Sequence, residues 1–85
     1  MEVIFSPHAI EDLSYWKQKQ DHKILKRVRL IVENIQNDPF HGIGKPEPLK
    51  YNFTGMWSRR INREHRIIYE VTNKTVIIHA LREHY

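Results

Sequence analysis

Between Ile24 and Ile35 the apolar residues Ile24, Leu25, Val28, Ile31, Val32 and Ile35 recur every three or four positions, whereas after Gly55 the apolar residues alternate with polar ones. A stripe of the first kind is one face of a helix, and an alternation of the second kind is one face of a strand. The chain must therefore join helices to a half-buried sheet, and it must do so around one core. Its 85 residues are expected to bury only about 60% of the surface the unfolded chain exposes. Residues 1–85 are read as a single domain. With no cysteine there is neither a disulfide framework nor a thiolate set for structural zinc, so packing has to supply the stability.

The stretch MEVIF is short, apolar and β-branched and reads as a strand. Ser6 and Pro7 then offer an N-cap followed by proline at the first helical position. Ile10, Leu13 and Trp16 or Lys17 follow the helical period there, until KQKQDHK interrupts it. Asp21 can cap a second helix, which carries the Ile24–Ile35 stripe and ends at Asn37-Asp38-Pro39, because a residue before proline is pushed out of the helical region. Residues 38–53 hold Pro39, Pro46, Pro48, Gly42 and Gly44, and a loop of about 15 residues is usually kept for a function. MWSRRI, HRIIYEV and TVIIHALREHY follow as three antiparallel strands joined by hairpins. The expected fold is α+β, in the order β-α-α-β-β-β, with two N-terminal helices on one face of a small antiparallel sheet that also takes in the first strand.

Charge is uneven along the chain. Residues 1–40 hold six Lys/Arg against six Asp/Glu and residues 41–85 hold eight against four, so the whole formal +4 lies in the second half. A cationic surface of this kind attracts RNA, DNA or an acidic protein segment, or is simply a solvated face. No apolar run approaches the roughly 20 residues of a membrane span, and the N-terminus lacks a signal-peptide layout, so a cytoplasmic location is expected.

If the first hairpin has a three-residue loop at 62–64, Ile61 faces His65 and Arg60 faces Arg66. Two like charges directly opposite each other destabilise an empty sheet, so an anion bound between them would explain the pair. A loop of two or four residues would stagger them instead. The same register puts Trp57, Ile61, Ile67, Tyr69 and Val71 on a core face and Ser58, Arg60, Arg66 and Glu70 on a polar one. Glu47 lies between Pro46 and Pro48, so its backbone is restricted and its side-chain direction preset. It can serve as a general base, or Pro-Glu-Pro can be a stiff loop with an ordinary ion pair to Lys50. The six histidines show none of the usual helical ligand spacings. His84, next to the last residue, is placed to give a proton to a leaving oxygen unless the terminus frays.

GKPEPLKYNFTGMWSRRIN, EHRIIYEV and the terminal HY together resemble the YoeB branch of the RelE/ParE superfamily, the toxins of type II toxin-antitoxin pairs. The likeness extends over nearly the whole chain, including the SPHAIEDLSYW and NDPFHGIGKPEPL segments. It implies a ribosome-dependent endoribonuclease that cuts messenger RNA in the A site of the 70S ribosome without metal or cofactor. It also implies an acidic, partly disordered YefM-type antitoxin as partner, and a homodimer. By the same resemblance Glu47 is the general base, His84 the general acid and Arg66 the stabiliser of the charged transition state, while Lys50, Arg60 and Tyr85 hold the RNA. A simple strand count from Val71 facing Val76 puts Tyr85, not His84, on the face of Arg66; a bulge, an odd-length turn or an irregular final residue would reverse that. A ParE-type toxin that binds DNA gyrase and a plain RNA-binding module are the rival readings on the same fold.

Overall fold

The computed structural model describes residues 1–83; His84 and Tyr85 lie outside the described residues. A first strand, β1 (Glu2–Phe5), leads into helices α1 (Pro7–Gln18) and α2 (His22–Asn37). After them come a two-residue strand, β2 (Glu47–Pro48), a 3-10 turn at Tyr51–Phe53, and strands β3 (Met56–Arg60), β4 (Arg66–Val71) and β5 (Thr75–Glu83). The caps are those the sequence offers: the Ser6 side chain accepts from Ala9 N, with Pro7 opening α1, and the Asp21 side chain accepts from Ile24 N. No helix among the described residues is long and apolar enough to cross a membrane.

The sheet has five strands in the order β1-β5-β4-β3-β2. It is mixed, which corrects the expectation of a purely antiparallel sheet: β1 pairs in parallel with β5, Val3 opposite Val76 and Ile4 opposite Ile77. A parallel neighbour needs a long connection, and between β1 and β5 the chain passes through both helices to the far edge of the sheet and returns through β2, β3 and β4. Both helices pack on one face, where Ile24, Val28, Ile31 and Ile35 of α2 meet Ile61, Ile67, Tyr69, Val76, Ile78 and Leu81 of the sheet. The stripe read for α2 is the buried one. In α1 the face is rotated from the expected one, since Ala9, Asp12 and Trp16 are buried whereas Ile10 is 53% exposed.

That rotation has a cause in β5. Val71 pairs with Val76 as counted, but the register shifts between Tyr69 and Ile68 and again between Ile68 and Arg66, so that Arg66 comes to face Glu83. Such irregularities remove backbone groups from the ladder, and buried N–H and C=O groups left unpaired are costly. Side chains of α1 take them up: the Asp12 carboxylate accepts from Leu81 N at 2.9 Å and the Trp16 indole donates to Leu81 O at 3.0 Å. The strand is thus irregular, but its two one-residue shifts cancel in facing, so Arg66 stands opposite an odd-numbered residue as in the simple count; His84 lies outside the described residues. Asp12→Ala should lower the unfolding free energy by about 1–3 kcal/mol, the cost of a buried donor left without its partner, as measured by urea denaturation.

Candidate active site on the helix-free sheet face

Cross-strand partners share a sheet face, so the register assigns the site directly. Glu47 pairs with Ser58, Ser58 with Ile68, and Ile68 with Ala80, forming one row across the face turned away from the helices. Arg60, Arg66 and Glu83 form the next row. Glu47 and Arg60 are diagonal neighbours, a relation that separates residues by about 7–8 Å, their Cβ atoms by somewhat less. The three-residue hairpin loop is present: Ile61 N donates to His65 O at 3.0 Å and Asn62 Oδ1 accepts from Glu64 N and His65 N. Arg60 therefore does face Arg66.

The two arginines are held differently. Arg66 uses Nη1 to reach the carbonyls of Asn62, Arg63 and His65. Its Nε and Nη2 make no hydrogen bond among the described residues, which leaves the edge that grips an oxyanion in bidentate fashion available. Arg60 is exposed, and its backbone N donates to Gly44 O at 2.6 Å. Glu47 and Lys50 are both exposed, and no ion pair joins them among the described residues, so the ordinary surface pair considered for Pro-Glu-Pro is not formed. Of the six residues implied by the resemblance, Glu47, Arg60 and Arg66 are brought together and Lys50 begins the turn after β2; His84 and Tyr85 fall outside the described residues. Beside the arginine row lies a groove of about 280 Å³ lined by Met56, Phe53, Ile68, Ala80, His79 and Glu83, with His8 at its rim. No group of three or more His, Cys, Asp or Glu side chains able to hold a metal ion occurs among the described residues.

The residue that sequence reasoning passed over is Arg59. It is fully buried on the helix side, opposite Ile67. All five of its N–H donors are used: Nε donates to Tyr69 Oη at 3.1 Å, Nη1 to Asn34 Oδ1 and to Ile43 O, and Nη2 to the carbonyls of Asp38 and His41. The Tyr69 hydroxyl donates to Pro39 O at 2.6 Å, and burial raises the phenol above its ordinary range while the guanidinium pulls it down. The Asp38 carboxyl is lowered, first by the Phe40 backbone N–H and then by His41. Two glycines let the loop come this close. A Cβ at Gly42 would collide with the Asn34 side chain, and one at Gly44 would meet Arg60 O at 3.0 Å; both have positive φ, at 134° and 82°. The period-two alternation was the available signal, because position 59 lies between Trp57 and Ile61 on the core face.

A family model described as a YoeB-like toxin of bacterial type II toxin-antitoxin systems matches residues 5–85. The Toxin YoeB of Synechocystis sp. is 47% identical over 85 residues, which span 100% of this chain and 98% of the relative. Among solved structures, a YoeB/ParE toxin from Agrobacterium tumefaciens matches with a TM-score of 0.93 at 34% identity, over 100% of both chains. A chain of the heterotetrameric YoeB-YefM toxin-antitoxin complex from Staphylococcus aureus matches with a TM-score of 0.88 at 42% identity, and the YoeB dimer from the same organism with 0.90 at 42%; each covers 100% of this chain and 98% of theirs. A helix pair over a mixed five-stranded sheet, with a cationic row on the uncovered face, is here the architecture of a toxin from a type II toxin-antitoxin pair. Within that class, the chain belongs to the YoeB toxin family.

Neighbouring arginines should respond in opposite directions. Arg59→Met strips partners from Asn34, Tyr69 and three loop carbonyls and should cost about 3 kcal/mol or more. Arg60→Ala relieves the like-charge pair and should stabilise the fold by about 0.2–1 kcal/mol, less so at high salt. Denaturant unfolding at two ionic strengths reads both.

Proposed function

We propose that this toxin is a ribosome-dependent endoribonuclease that cleaves messenger RNA in the ribosomal A site and so arrests translation. The observation that carries this reading is the register that lines up Glu47, diagonal to Arg60, beside the Arg60–Arg66 pair on the sheet face the helices leave uncovered. Glu47 takes the proton of a ribose 2′-OH as its oxygen attacks the adjacent phosphorus; the bond from phosphorus to the 5′ oxygen of the next nucleotide breaks, and His84 protonates that oxygen. The products are a 2′,3′-cyclic phosphate and a free 5′-OH. Such an in-line displacement needs positioning, two proton transfers and cations about the phosphoryl oxygens. Arg66, through Nε and Nη2, supplies the bidentate contact, with Arg60 and Lys50 beside it. The roles of His84 and Tyr85, the latter as a stacking partner for the neighbouring base, rest on the family resemblance.

The need for a 2′-OH restricts the substrate to RNA. Glu47 is exposed to solvent and its site is shallow, so the ribosome is assigned the task of orienting the message. The site therefore acts where ribosomes are, in the cytoplasm. A YefM-type antitoxin with an acidic, partly disordered tail would neutralise the arginine row by folding across it; the YoeB-YefM complex from Staphylococcus aureus supports that partner, and the YoeB dimer from the same organism supports a homodimer.

Inducible expression of the wild type should stop growth and produce toe-print cuts at A-site codons. Glu47→Ala and His84→Gln should each lower cleavage by about 100- to 10,000-fold, the usual worth of a positioned acid or base, while still binding ribosomes. Growth arrest that persists in Glu47→Ala without mRNA cuts would instead place the protein among non-hydrolytic toxins.

A further inference from the structure

Four residues beyond Glu47 the chain presents Tyr51 with 90% of its surface exposed. A tyrosine normally covers its ring against neighbouring apolar groups, and Leu49 and Phe53 are near enough to line the same shallow depression. The backbone prevents it. Tyr51 has φ of +60°, a conformation that residues other than glycine rarely hold unless the surroundings impose it. The imposing contacts are local: Thr54 Oγ1 donates to Tyr51 O at 2.7 Å, Thr54 N donates to the same oxygen at 3.2 Å, and Phe53 N donates to Lys50 O at 3.2 Å. The ring makes no hydrogen bond or ring contact among the described residues, so the turn holds it out in the solvent.

We infer that Tyr51 is a stacking platform for an unpaired base of single-stranded RNA, a subsite next to the Glu47–Arg66 centre; the inference rests on the RNA-cleaving reading. Four extended residues span no more than about 14 Å, so a strand whose ribose lies at Glu47 can place a nearby base on the ring. The surroundings favour a base over a protein side chain. Lys50 and Asn52, the ring's chain neighbours, are exposed, and the depression it shares with Leu49 and Phe53 is shallow, whereas an aromatic anchor of a protein interface is surrounded by groups that exclude water. A cation beside an exposed aromatic can follow a phosphate backbone while the ring stacks a base. Stacking of this kind makes no demand on base identity, so Tyr51 contributes affinity and the placement of the strand, with no role in the proton transfers.

The test uses Glu47→Ala protein, which keeps the loop and removes the proposed base, and a single-stranded RNA oligonucleotide carrying 2-aminopurine. Binding should quench the fluorophore. Adding Tyr51→Ala should weaken binding by about tenfold or more and abolish the quench, whereas Tyr51→Phe and Tyr51→Trp should retain both; thermal unfolding of all four proteins should coincide. Because stacking ignores the 2′-OH, the DNA oligonucleotide of the same sequence should show the same dependence on Tyr51. Absence of a quench with the parent protein, or equal affinity with Tyr51→Ala, overturns the subsite. So does a Tyr51→Ala effect confined to capture of a co-expressed acidic protein, which would make the ring a protein contact. Failure of the wild type to cut RNA leaves these binding measurements unaffected and counts against the nuclease reading alone.

Discussion

A buried guanidinium with every donor satisfied is the contact on which the rest of this structure depends. Burying Arg59 would be ruinous if its charge stood among apolar groups, yet it is surrounded by one phenol, one amide and three backbone carbonyls. Those carbonyls belong to the segment between α2 and β2. The charge is thus solvated by dipoles, and the dipoles are in turn held in one arrangement by the charge. A long connection that would otherwise be mobile becomes a fixed extension of α2 and β3, since Asn34 on the helix also accepts from Ile43 N.

Glu47 is delivered by that extension. Gly44 O pairs with Arg60 N, Glu47 then pairs with Ser58, and Leu49 N closes the ribbon on Met56 O. The carboxylate position therefore follows from the register of β2 on β3, and the prolines on either side add stiffness to a placement already made by hydrogen bonds. At the opposite side of the sheet α1 does the same for β5. Asp12 and Trp16 hold the backbone of Leu81 where the ladder slips, and the slip is what brings Glu83 level with Arg66. The helices pack on the opposite face, α1 reaching the edge of this one through His8 at Glu83, but they set the spacing of the groups on it.

How much of this could be read from residues alone depends on whether the determinants are local. Both helices and both N-caps follow from period and capping chemistry and are present; loop length left the first hairpin open between a three-residue loop and a staggered one, and the three-residue loop, which pairs Arg60 with Arg66, is the one found. The parallel placement of β1 was not legible, because strand direction at an edge depends on which later strand closes beside it, here β5 after the helices and three more strands. The rotation of α1 was not legible either: Ile10 was expected inward on hydrophobicity, whereas Asp12 turns inward to meet a backbone donor exposed by an irregularity 69 residues away. Of the candidate site, the carboxylate and the arginine pair were legible. Arg59 was not, since a charged residue in a basic run reads as solvated until the carbonyls that receive it are known.

The pairing of Arg60 with Arg66 in the ligand-free fold is then best understood with the two supports together. Like charges on adjacent strands are ordinarily avoided or splayed apart. Here Arg66 is drawn toward the hairpin carbonyls by one nitrogen, while Arg60 is bound to the loop only through its backbone, so neither is relaxed by a neighbouring carboxylate: Glu83, level with Arg66, is directed to His8 at 3.4 Å. Glu47, the other acid within reach, forms no ion pair among the described residues. A fold that sets two arginines opposite each other with a carboxylate on the diagonal, and gives none of the three an ion pair among the described residues, supports the proposal that an anion binds between them.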